Sequence, residues 1–450
     1  MYTVLLSGGS GKRLWPLSND LRSKQYIKIF EGENGEKESM VQRVYEQLKC
    51  AGIKDNLFMC AGNSQLEIIR SQVGNIGVAV EPERRDTFPA VAISCAYALS
   101  KLGAKRDDVI TFLPVDPYTE DSYFDTVKTL EDKLRQSGAE IALMGAVPKK
   151  ASTKFGYILP SEQKDGYFCV GGFKEKPDID TAKELIKNKA LYNCGVFCFK
   201  ISLIADILSS MGFKCEYDFL YENYGKLPKT SFDYAVLEKC ENMIAVPFCG
   251  MWKDLGTWNT LSGEMQTDTI GYAKLDGCDG VKVINELDIP IILSGINDAV
   301  VVASADGILV TEKKGSEKLK QIVNEITLEP MYEERRWGTL KTVDRSENTI
   351  TRRVKMFKDM NSSMHYHSLR DEVWVFLSGD AEMILGNKKM TVKAGDSVTI
   401  PKGTNHIIRA ISEIEFLEVH IGVSDRSDIN RISFDWGKIA EESVSEEKNL

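Results

Sequence analysis

Glycines and cations follow the first apolar run of this chain in the pattern of an anion-binding loop. The segment SGGSGKRLWPLS (residues 7–18) carries three glycines and a lysine, Gly8, Gly9, Gly11 and Lys12. Glycines let backbone amides approach a phosphate closely, and Lys12 and Arg13 can neutralise its charge. A Walker loop is excluded because Arg13 follows Lys12, and a dinucleotide fingerprint beginning at Gly9 would need Gly or Ala where Leu14 stands. The segment therefore predicts a phosphate site of another kind.

The second set of reactive residues lies near the other end of the chain, where all four histidines fall between residues 365 and 420. His365 and His367 alternate on a predicted strand, so both side chains can point to one face. Glu372 follows them, and His406 comes after a Gly-x₅-Pro-x-Gly turn, which together match both halves of the cupin motif. Imidazoles with one carboxylate suit Zn²⁺, Mn²⁺, Fe²⁺ or Ni²⁺. His420 has no motif support, and we expect it to be structural.

The elements that must position these residues change character along the chain. Up to about residue 260, short apolar strands alternate with helical stretches such as 39–49 and 119–136, which predicts an α/β domain with a mostly parallel sheet. Residues 265–310 are β-rich, a charged helix is expected near 313–334, and evenly spaced strands over 340–425 indicate a small barrel.

The opening loop resembles that of the mannose-1-phosphate guanylyltransferases, members of the sugar nucleotidyltransferase superfamily. Further segments resemble family motifs in the same order along the chain: SKQY at 23–26, EPERRDTFPA at 81–90, LPVD at 113–116, FKEKPD at 173–178, NCGVF at 193–197, SFDYAVLEK at 231–239 and WKDLGTW at 252–258. The resemblance implies a Rossmann-like sugar nucleotidyltransferase domain with a mixed, mostly parallel sheet, and transfer of GMP from GTP to mannose 1-phosphate.

The roles implied by this resemblance are specific. The catalytic residues would be Arg13, Lys24, Asp116, Lys176 and Asp254, with Asp116 and Asp254 also binding Mg²⁺. The nucleotide would contact Gly8, Gly9, Gly11, Lys12, Arg85, Asp86 and Thr87. The sugar would contact Gly156, Glu175 and Asn193. The family's Asn and Ala are replaced by Asp86 and Phe88, and its Ser by Val115, so another base or another sugar 1-phosphate stays open.

The C-terminal section is similar to the isomerase domain of bifunctional phosphomannose isomerase–guanylyltransferases. RRWG at 335–338, HYHSLRDEVW at 365–374 and IPKGTNH at 400–406 match that domain's motifs. The resemblance implies an all-β cupin barrel whose His365, His367, Glu372 and His406 bind a divalent transition metal. His365 stands for the family's Gln and Val373 for its His, so the metal site is kept while its rim changes. Isomerisation of mannose 6-phosphate needs a base, and the sequence does not identify one, so both isomerase activity and its absence stay open.

The expected domains are a nucleotidyltransferase domain at 1–262, a small β-rich connector with a linker helix at 263–334, the cupin domain at 335–438, and a flexible tail at 439–450. A chain of 450 residues exceeds the size of one hydrophobic core. Ten cysteines without a C-x-x-C pair indicate reduced thiols and a cytoplasmic location.

The net charge of −9 argues against nucleic acid as a partner, and the sequence has no apolar run long enough for a membrane helix. We expect a homo-oligomer by resemblance alone. Two other functions compete with the transferase: a sugar-nucleotide sensor that binds without catalysis, and a barrel that acts as a metal-dependent oxygenase.

Overall fold

The computed structural model describes residues 1–9, 12–32, 35–326, 329–423 and 427–440. Its contacts divide the chain into two compact units. The first contains Met1–Leu14, Ser23–Leu66 and Gln72–Gln266, and the second contains Trp15–Arg22, Glu67–Ser71 and Thr267–Leu450. The expected phosphate loop is thus divided, because residues 15–22 cluster with the second unit. Gly11, which we predicted to bind nucleotide, and residues 441–450 of the expected tail lie outside the described residues. The predicted domain boundaries stay predictions.

Strands of the first unit are β1 (Tyr2–Leu6), β2 (Phe30–Glu31), β3 (Lys37–Glu38), β4 (Leu57–Gly62), β5 (Gly77–Glu81), β6 (Val109–Pro114), β7 (Pro117–Thr119), β8 (Ile141–Ala146), β9 (Tyr157–Lys164), β10 (Tyr167–Lys174), β11 (Leu191–Lys200), β12 (Met243–Phe248) and β13 (Trp252–Asp254). Its helices are α1 (Met40–Cys50), α3 (Thr87–Lys101), α4 (Ser122–Ser137), α5 (Ile179–Lys187), α6 (Ile201–Ser210), α7 (Tyr217–Glu222), α8 (Phe232–Ala235) and α9 (Trp258–Ser262), while α2 (Leu66–Gln72) lies mostly in the second unit.

Nine of these strands form one sheet in the order β5-β4-β1-β6-β11-β8-β12-β10-β9. Seven of the nine run in one direction, and β10 and β11 run against them, which confirms a mixed sheet. The central strands are buried on both faces, as the apolar sequence of β6 requires. Because β1, β5 and β6 are parallel, the residues that follow them meet at the carboxyl edge of the sheet, where α/β folds bind ligands.

Strands of the second unit are β14 (Thr269–Ile270), β15 (Ala273–Asp276), β16 (Lys282–Asn285), β17 (Ile291–Ser294), β18 (Ala299–Ser304), β19 (Gly307–Glu312), β20 (Tyr332–Arg335), β21 (Gly338–Arg345), β22 (Thr349–Met356), β23 (Met364–Tyr366), β24 (Arg370–Ser378), β25 (Asp380–Leu385), β26 (Lys388–Lys393), β27 (Ser397–Ile400), β28 (His406–Ala410), β29 (Ile414–Gly422) and β30 (Asn430–Ser433). Its helices include α10 (Leu319–Asn324), which is preceded by a 3₁₀ turn at Gly315–Lys318.

The first part of this unit is the β-rich connector, in which parallel strands stack with an 18-residue offset, Ala273 opposite Ile291 and Val283 opposite Val301. The expected charged helix at 313–334 is wrong in its length, since the helix ends at Asn324 and Tyr332 already begins a strand. Tyr332–Arg335 instead pairs with β21, so sheet formation overrides the local helical preference there.

The remaining strands form two sheets, β20-β21-β22-β29-β24-β27 and β26-β25-β28-β23-β30. A buried cluster that includes Trp374, Phe376, Phe416 and Met383 fills the space between strands of both sheets. This confirms an all-β C-terminal domain with inward-facing positions on alternating residues. Among the described residues, no helix is long and apolar enough to cross a membrane.

Candidate active site and metal centre

The described part of the phosphate loop, Ser7 to Gly9, begins where β1 ends. Gly9 has a φ of +130°, which side chains rarely adopt, so the turn requires glycine there. Gly8 and Gly9 are exposed, as amides that bind an anion must be. Lys12 and Arg13 follow in a short 3₁₀ turn, and the Arg13 side chain is exposed at the site.

Side-chain hydrogen bonds from residues 23–26 stabilise the phosphate loop. The Ser7 hydroxyl lies 2.6 Å from the Tyr26 hydroxyl, and the Gln25 amide donates to the Ser7 carbonyl at 2.9 Å. The Ser23 hydroxyl donates to the Gly9 carbonyl at 3.3 Å and accepts from Gln65 at 2.9 Å. These hydrogen bonds connect the loop to buried side chains of the same unit and restrict its conformation. The sequence analysis assigned no role to Ser23, Gln25 or Tyr26.

Three predicted catalytic residues come together at the carboxyl edge. Lys24 Nζ lies 2.6 Å from Asp116 Oδ2 and 3.5 Å from Asp254 Oδ1. Asp116 follows β6, and β13 places Asp254 opposite Pro117 in a two-stranded sheet, so distant segments bring the two carboxylates to one point. Burial opposes the Lys24 ammonium, but the two carboxylates outweigh that cost and raise its pKa. Lys24 therefore stays charged, as a group that binds phosphate must.

The Asp116 and Asp254 carboxylates fit a hard divalent cation. Each is about one-third exposed, at 33% and 34%, so both can reach a ligand in solution. Carboxylate oxygens are the ligands Mg²⁺ prefers, and it usually takes one or two of them together with substrate phosphates. Mg²⁺ therefore stays a prediction, and the carboxylate oxygens of Asp116 and Asp254 are its support.

The predicted sugar-binding residues also converge. The Asn193 amide N–H donates to the Gly156 carbonyl at 2.8 Å, and a Cβ on residue 156 would lie 2.4 Å from Glu175 Oε2. Lys176 Nζ donates to Glu175 Oε1 at 2.6 Å, while its side chain remains 60% exposed. Lys176 has a φ of +40°, a conformation that costs about 1 kcal/mol or more for a side-chain residue. Lys176 contacts Glu175 rather than the Asp116 and Asp254 pair.

We predict that Gly156→Ala weakens binding of the expected sugar 1-phosphate by about 10-fold to 100-fold, because a displacement of about 1 Å at a reacting site has effects of that size. The added methyl would also approach Phe173 Cζ at 2.8 Å, so Glu175 must move. The measurement is the KM for the sugar phosphate. Gly263→Ala is the matched control, since its nearest atom would be 3.5 Å away. An unchanged KM in Gly156→Ala would contradict the assignment of Gly156.

Asp86 and Thr87 lie at the start of α3. Asp86 caps the helix by accepting from the Thr87 amide at 2.8 Å and has a φ of +73°. The Thr87 hydroxyl accepts from the Phe232 amide at 2.8 Å, which ties this helix to α8. Arg85 donates to the Leu227 carbonyl at 2.9 and 3.1 Å, so most of its guanidinium is engaged within the protein. Nucleotide contact by these three residues stays a prediction.

Glu81 is a further candidate that the sequence analysis did not single out. It ends β5, it is 8% exposed, and it accepts a 2.6 Å hydrogen bond from the Tyr224 hydroxyl. Burial raises the pKa of Glu81, and the Tyr224 hydrogen bond acts the other way. A buried carboxylate at the ligand-binding edge of a parallel sheet is typical of a functional site.

In the second unit, three of the predicted metal ligands form one buried cluster. The ligand atoms of His365, His367 and His406 lie within 4.8 Å of one another. The Nδ1 atom of each ring faces a backbone carbonyl, that of Ser363 at 2.7 Å, Asp428, and Thr404 at 2.9 Å. This pattern fixes the tautomer with Nδ1 protonated and leaves Nε2 as the ligand atom.

The electrostatics of the cluster also fit a metal. Burial lowers the pKa of His365 and of His367, so both rings are neutral near pH 7, as metal ligation requires. His406 is fully buried, and its Nε2 has no hydrogen-bond partner among the described residues. A buried acceptor of this kind costs free energy unless something occupies it. The donor set therefore fits a divalent transition metal.

Glu372, the fourth predicted ligand, lies against this cluster. Its Oε1 is 3.1 Å from His367 Nε2, and its Oε2 is 3.8 Å from His406 Nε2. Arg370 Nε at 2.9 Å and Trp374 Nε1 at 3.1 Å donate to the same carboxylate and orient it. A metal bound by Glu372 would thus share this carboxylate with Arg370 and Trp374.

His420, which we expected to be structural because no motif includes it, lies next to the predicted metal ligand Glu372. Antiparallel pairing places His420 directly opposite Glu372, and its Nε2 lies 3.5 Å from Glu372 Oε1. Glu418 contacts His420 and completes a second buried group of acidic and imidazole side chains with Glu372. Only strand pairing between β24 and β29 reveals this neighbourhood, and the sequence gives no signal for it.

Comparisons with known proteins find matches for both parts of the chain. Residues 2–269 match the family model described as nucleotidyl transferase, and residues 327–433 match the model described as mannose-6-phosphate isomerase C-terminal. The chain is 28% identical to mannose-1-phosphate guanylyltransferase RfbM of Salmonella typhimurium, over 93% of this chain and 94% of the relative. It is 29% identical to mannose-1-phosphate guanylyltransferase 2 of Escherichia coli O157:H7, over 94% and 95%. The crystal structure described as mannose-1-phosphate geranyltransferase from Thermus thermophilus has a TM-score of 0.61 and 26% identity, and the match covers 72% of this chain and 98% of that one.

Proposed function

Since the chain belongs to the nucleotidyl transferase family, we propose that it transfers GMP from GTP to α-D-mannose 1-phosphate, giving GDP-mannose and pyrophosphate. The observation that carries this proposal is the contact of Lys24 with Asp116 and Asp254 beside the glycine loop. Both relatives are named as mannose-1-phosphate guanylyltransferases, and both match this chain along almost its whole length. Their names therefore support the choice of substrates.

The reaction is a displacement at the α-phosphorus of GTP. A phosphate oxygen of mannose 1-phosphate forms the new P–O bond, and the bond to the β-phosphate bridging oxygen breaks as pyrophosphate leaves. Such a step needs alignment and charge neutralisation rather than a protein nucleophile. Loop amides, Arg13 and Lys24 hold the triphosphate and the leaving pyrophosphate, and Lys176 meets the sugar phosphate. Asp116 and Asp254 would hold Mg²⁺, which would supply further positive charge at the phosphates.

A panel of nucleotides tests the choice of GTP. We expect pyrophosphate release with mannose 1-phosphate and Mg²⁺ to be fastest with GTP, compared with ATP, UTP and CTP. Faster release with another nucleotide would contradict guanylyl transfer and leave the nucleotidyltransferase chemistry intact. Replacing mannose 1-phosphate with other sugar 1-phosphates tests the second substrate in the same way.

Glu81 provides a physical basis for guanine selection. Guanine presents N1–H and N2–H₂ donors that one carboxylate can accept together, whereas adenine presents no donor at N1. Neighbouring parallel strands are about 4.8 Å apart, so Glu81 lies on the order of 10 Å along the sheet edge from the loop after β1. That separation is compatible with a base bound here and phosphates bound at the loop.

We therefore predict that Glu81→Gln lowers kcat/KM for GTP by about 10-fold to 100-fold, the scale of a lost charge-assisted hydrogen bond, and reduces the preference over ATP. The measurement is the ratio of kcat/KM for the two nucleotides. Glu162→Gln is the matched control, because its side chain is 68% exposed and pairs with Lys164 rather than with a predicted site residue. An unchanged ratio in Glu81→Gln would show that Glu81 does not read the base.

The C-terminal barrel has a second candidate function, favoured by the cluster of three histidines and by the match to the isomerase C-terminal model. We propose that it binds Zn²⁺, Mn²⁺, Fe²⁺ or Ni²⁺ and interconverts mannose 6-phosphate and fructose 6-phosphate. A metal polarises the substrate oxygens during proton transfer next to a carbonyl. Formation of fructose 6-phosphate by the metal-loaded chain tests this activity, and dioxygen consumption with Fe²⁺ would instead support an oxygenase.

Further proposals concern the setting of the enzyme. We propose a cytoplasmic homo-oligomer that binds GTP and sugar phosphate. We also propose that it does not bind nucleic acid, and the net charge of −9 supports this last point. Light scattering coupled to gel filtration measures the oligomeric state.

A further inference from the structure

Asp233 is a half-buried carboxylate at the sugar side of the first unit, outside the residues considered so far as sugar ligands. It lies on α8, whose start is fixed by the Ser231 side chain accepting from the Tyr234 amide. The Asn193 side-chain amide donates to Asp233 Oδ1 at 2.8 Å. Asn193 Oδ1 in turn accepts from the Gly195 amide at 3.0 Å, so the Asn193 side chain is held at both ends. Asp233 is therefore placed beside the residues that converge on Gly156.

The hydrogen bonding of Asp233 is incomplete. Among the described residues, the Asn193 side chain and the backbone N–H of Asp233 donate to this carboxylate, and no cation lies within ion-pair distance of it. An ionised carboxylate can accept about four hydrogen bonds. The hydroxyl groups of a ligand would therefore supply hydrogen bonds to Asp233 that the protein itself does not supply.

The charges around Asp233 indicate which part of a ligand lies there. Burial raises the pKa of Asp233 to about 6, the nearby Glu175 carboxylate adds to this, and Lys176 and Asn193 act against it. Two neighbouring carboxylates repel a phosphate, whereas the exposed Lys176 attracts one. The phosphate of a sugar phosphate is thus expected at Lys176, with the hydroxyl groups of the ring towards Glu175 and Asp233.

We propose that Asp233 is a specificity-determining ligand of a ring hydroxyl of the sugar 1-phosphate, oriented by Asn193. This inference rests on the proposed function and deepens it. A sugar that carries hydrogen at the contacted carbon does not supply this hydrogen bond and is rejected, because a site built to bind a hydroxyl discriminates strongly against its absence.

A thermodynamic cycle between protein and substrate tests this role. The substrates are the sugar 1-phosphate and its analogues deoxygenated at single ring positions, and the proteins are the wild type and Asp233→Asn. In the wild type, one deoxy analogue loses about 10-fold to 100-fold in kcat/KM, the scale of a hydrogen bond to a charged group. In Asp233→Asn that particular loss falls below about 3-fold, while losses at the other positions are unchanged. Equal losses in both proteins at every position would overturn the proposal.

Controls separate this role from a structural one. The KM for GTP stays within about 2-fold in Asp233→Asn, and Asp206→Asn, an exposed surface change, behaves as the wild type. If Asp233→Asn does not fold, Asp233→Glu keeps the charge and is expected to show a reduced loss at the same ring position, and an undiminished loss overturns the proposal. A wild-type protein that does not turn over mannose 1-phosphate would contradict the proposed function. The cycle is then run on the sugar 1-phosphate that is turned over, where absence of coupling contradicts this inference alone.

Discussion

Asp254→Asn reduces the rate of GDP-mannose formation by at least about 100-fold, the scale for loss of one preorganised electrostatic partner of a charged transition state. The substitution keeps the shape of the side chain but removes one of the two carboxylates next to Lys24. A neutral amide binds a divalent cation more weakly, so the Mg²⁺ concentration needed for half-maximal rate rises. The measurement is the rate of pyrophosphate release across a Mg²⁺ titration.

The same change has little effect on stability. Asp254 is 34% exposed and lies 3.5 Å from Lys24, and ion pairs of that exposure contribute about 1 kcal/mol or less. Thermal unfolding should therefore stay close to that of the wild type. Asp218→Asn, at a surface position 77% exposed, is the matched control with full activity. A fully active Asp254→Asn protein would exclude Asp254 from the reaction.

The second large effect concerns the barrel, where His406→Gln lowers transition-metal affinity by more than about 100-fold. Losing an outer partner of a metal ligand already costs roughly 10-fold to 100-fold, and His406 is placed as a ligand itself. Its ring is fully buried, and its Nε2 has no hydrogen-bond partner among the described residues. The measurement is metal content after dialysis, by elemental analysis, together with direct titration of Mn²⁺ or Zn²⁺.

Asn405→Gln, at the exposed residue before His406, is the matched control and should keep its metal. The GTP-dependent activity of His406→Gln should be retained, because Asp116 and Asp254, the carboxylates expected to bind Mg²⁺, belong to the first unit. Undiminished metal binding in His406→Gln would contradict the three-histidine centre.

Sequence motifs predicted the site residues that lie within recognisable patterns of residue type and spacing. Lys24, Asp116 and Asp254 were singled out by resemblance, and the structure brings them together. The alternation of His365 and His367 indicated a shared face, and their ligand atoms lie together. The mostly parallel sheet and the all-β C-terminal domain followed from the alternation of apolar runs, because burial sets that periodicity, whereas the mixed strand directions were implied by the resemblance.

The remaining parts depend on tertiary contacts that no local pattern carries. Only the structure shows that the Tyr26 hydroxyl lies within hydrogen-bond distance of the Ser7 hydroxyl at the phosphate loop. Glu81 becomes notable through its hydrogen bond to Tyr224, which lies 143 residues later in the chain. His420 is placed beside Glu372 by strand register. The expected helix at 313–334 was too long because charged, helix-favouring residues continue into a segment that pairs as a strand.

Product analysis of the unmodified chain with GTP, mannose 1-phosphate and Mg²⁺ tests the central claim most directly. Chromatography and ³¹P NMR should show GDP-mannose and pyrophosphate forming in equal amounts, each in step with the loss of GTP. Binding of GTP without formation of either product would contradict the transferase and support a sugar-nucleotide sensor.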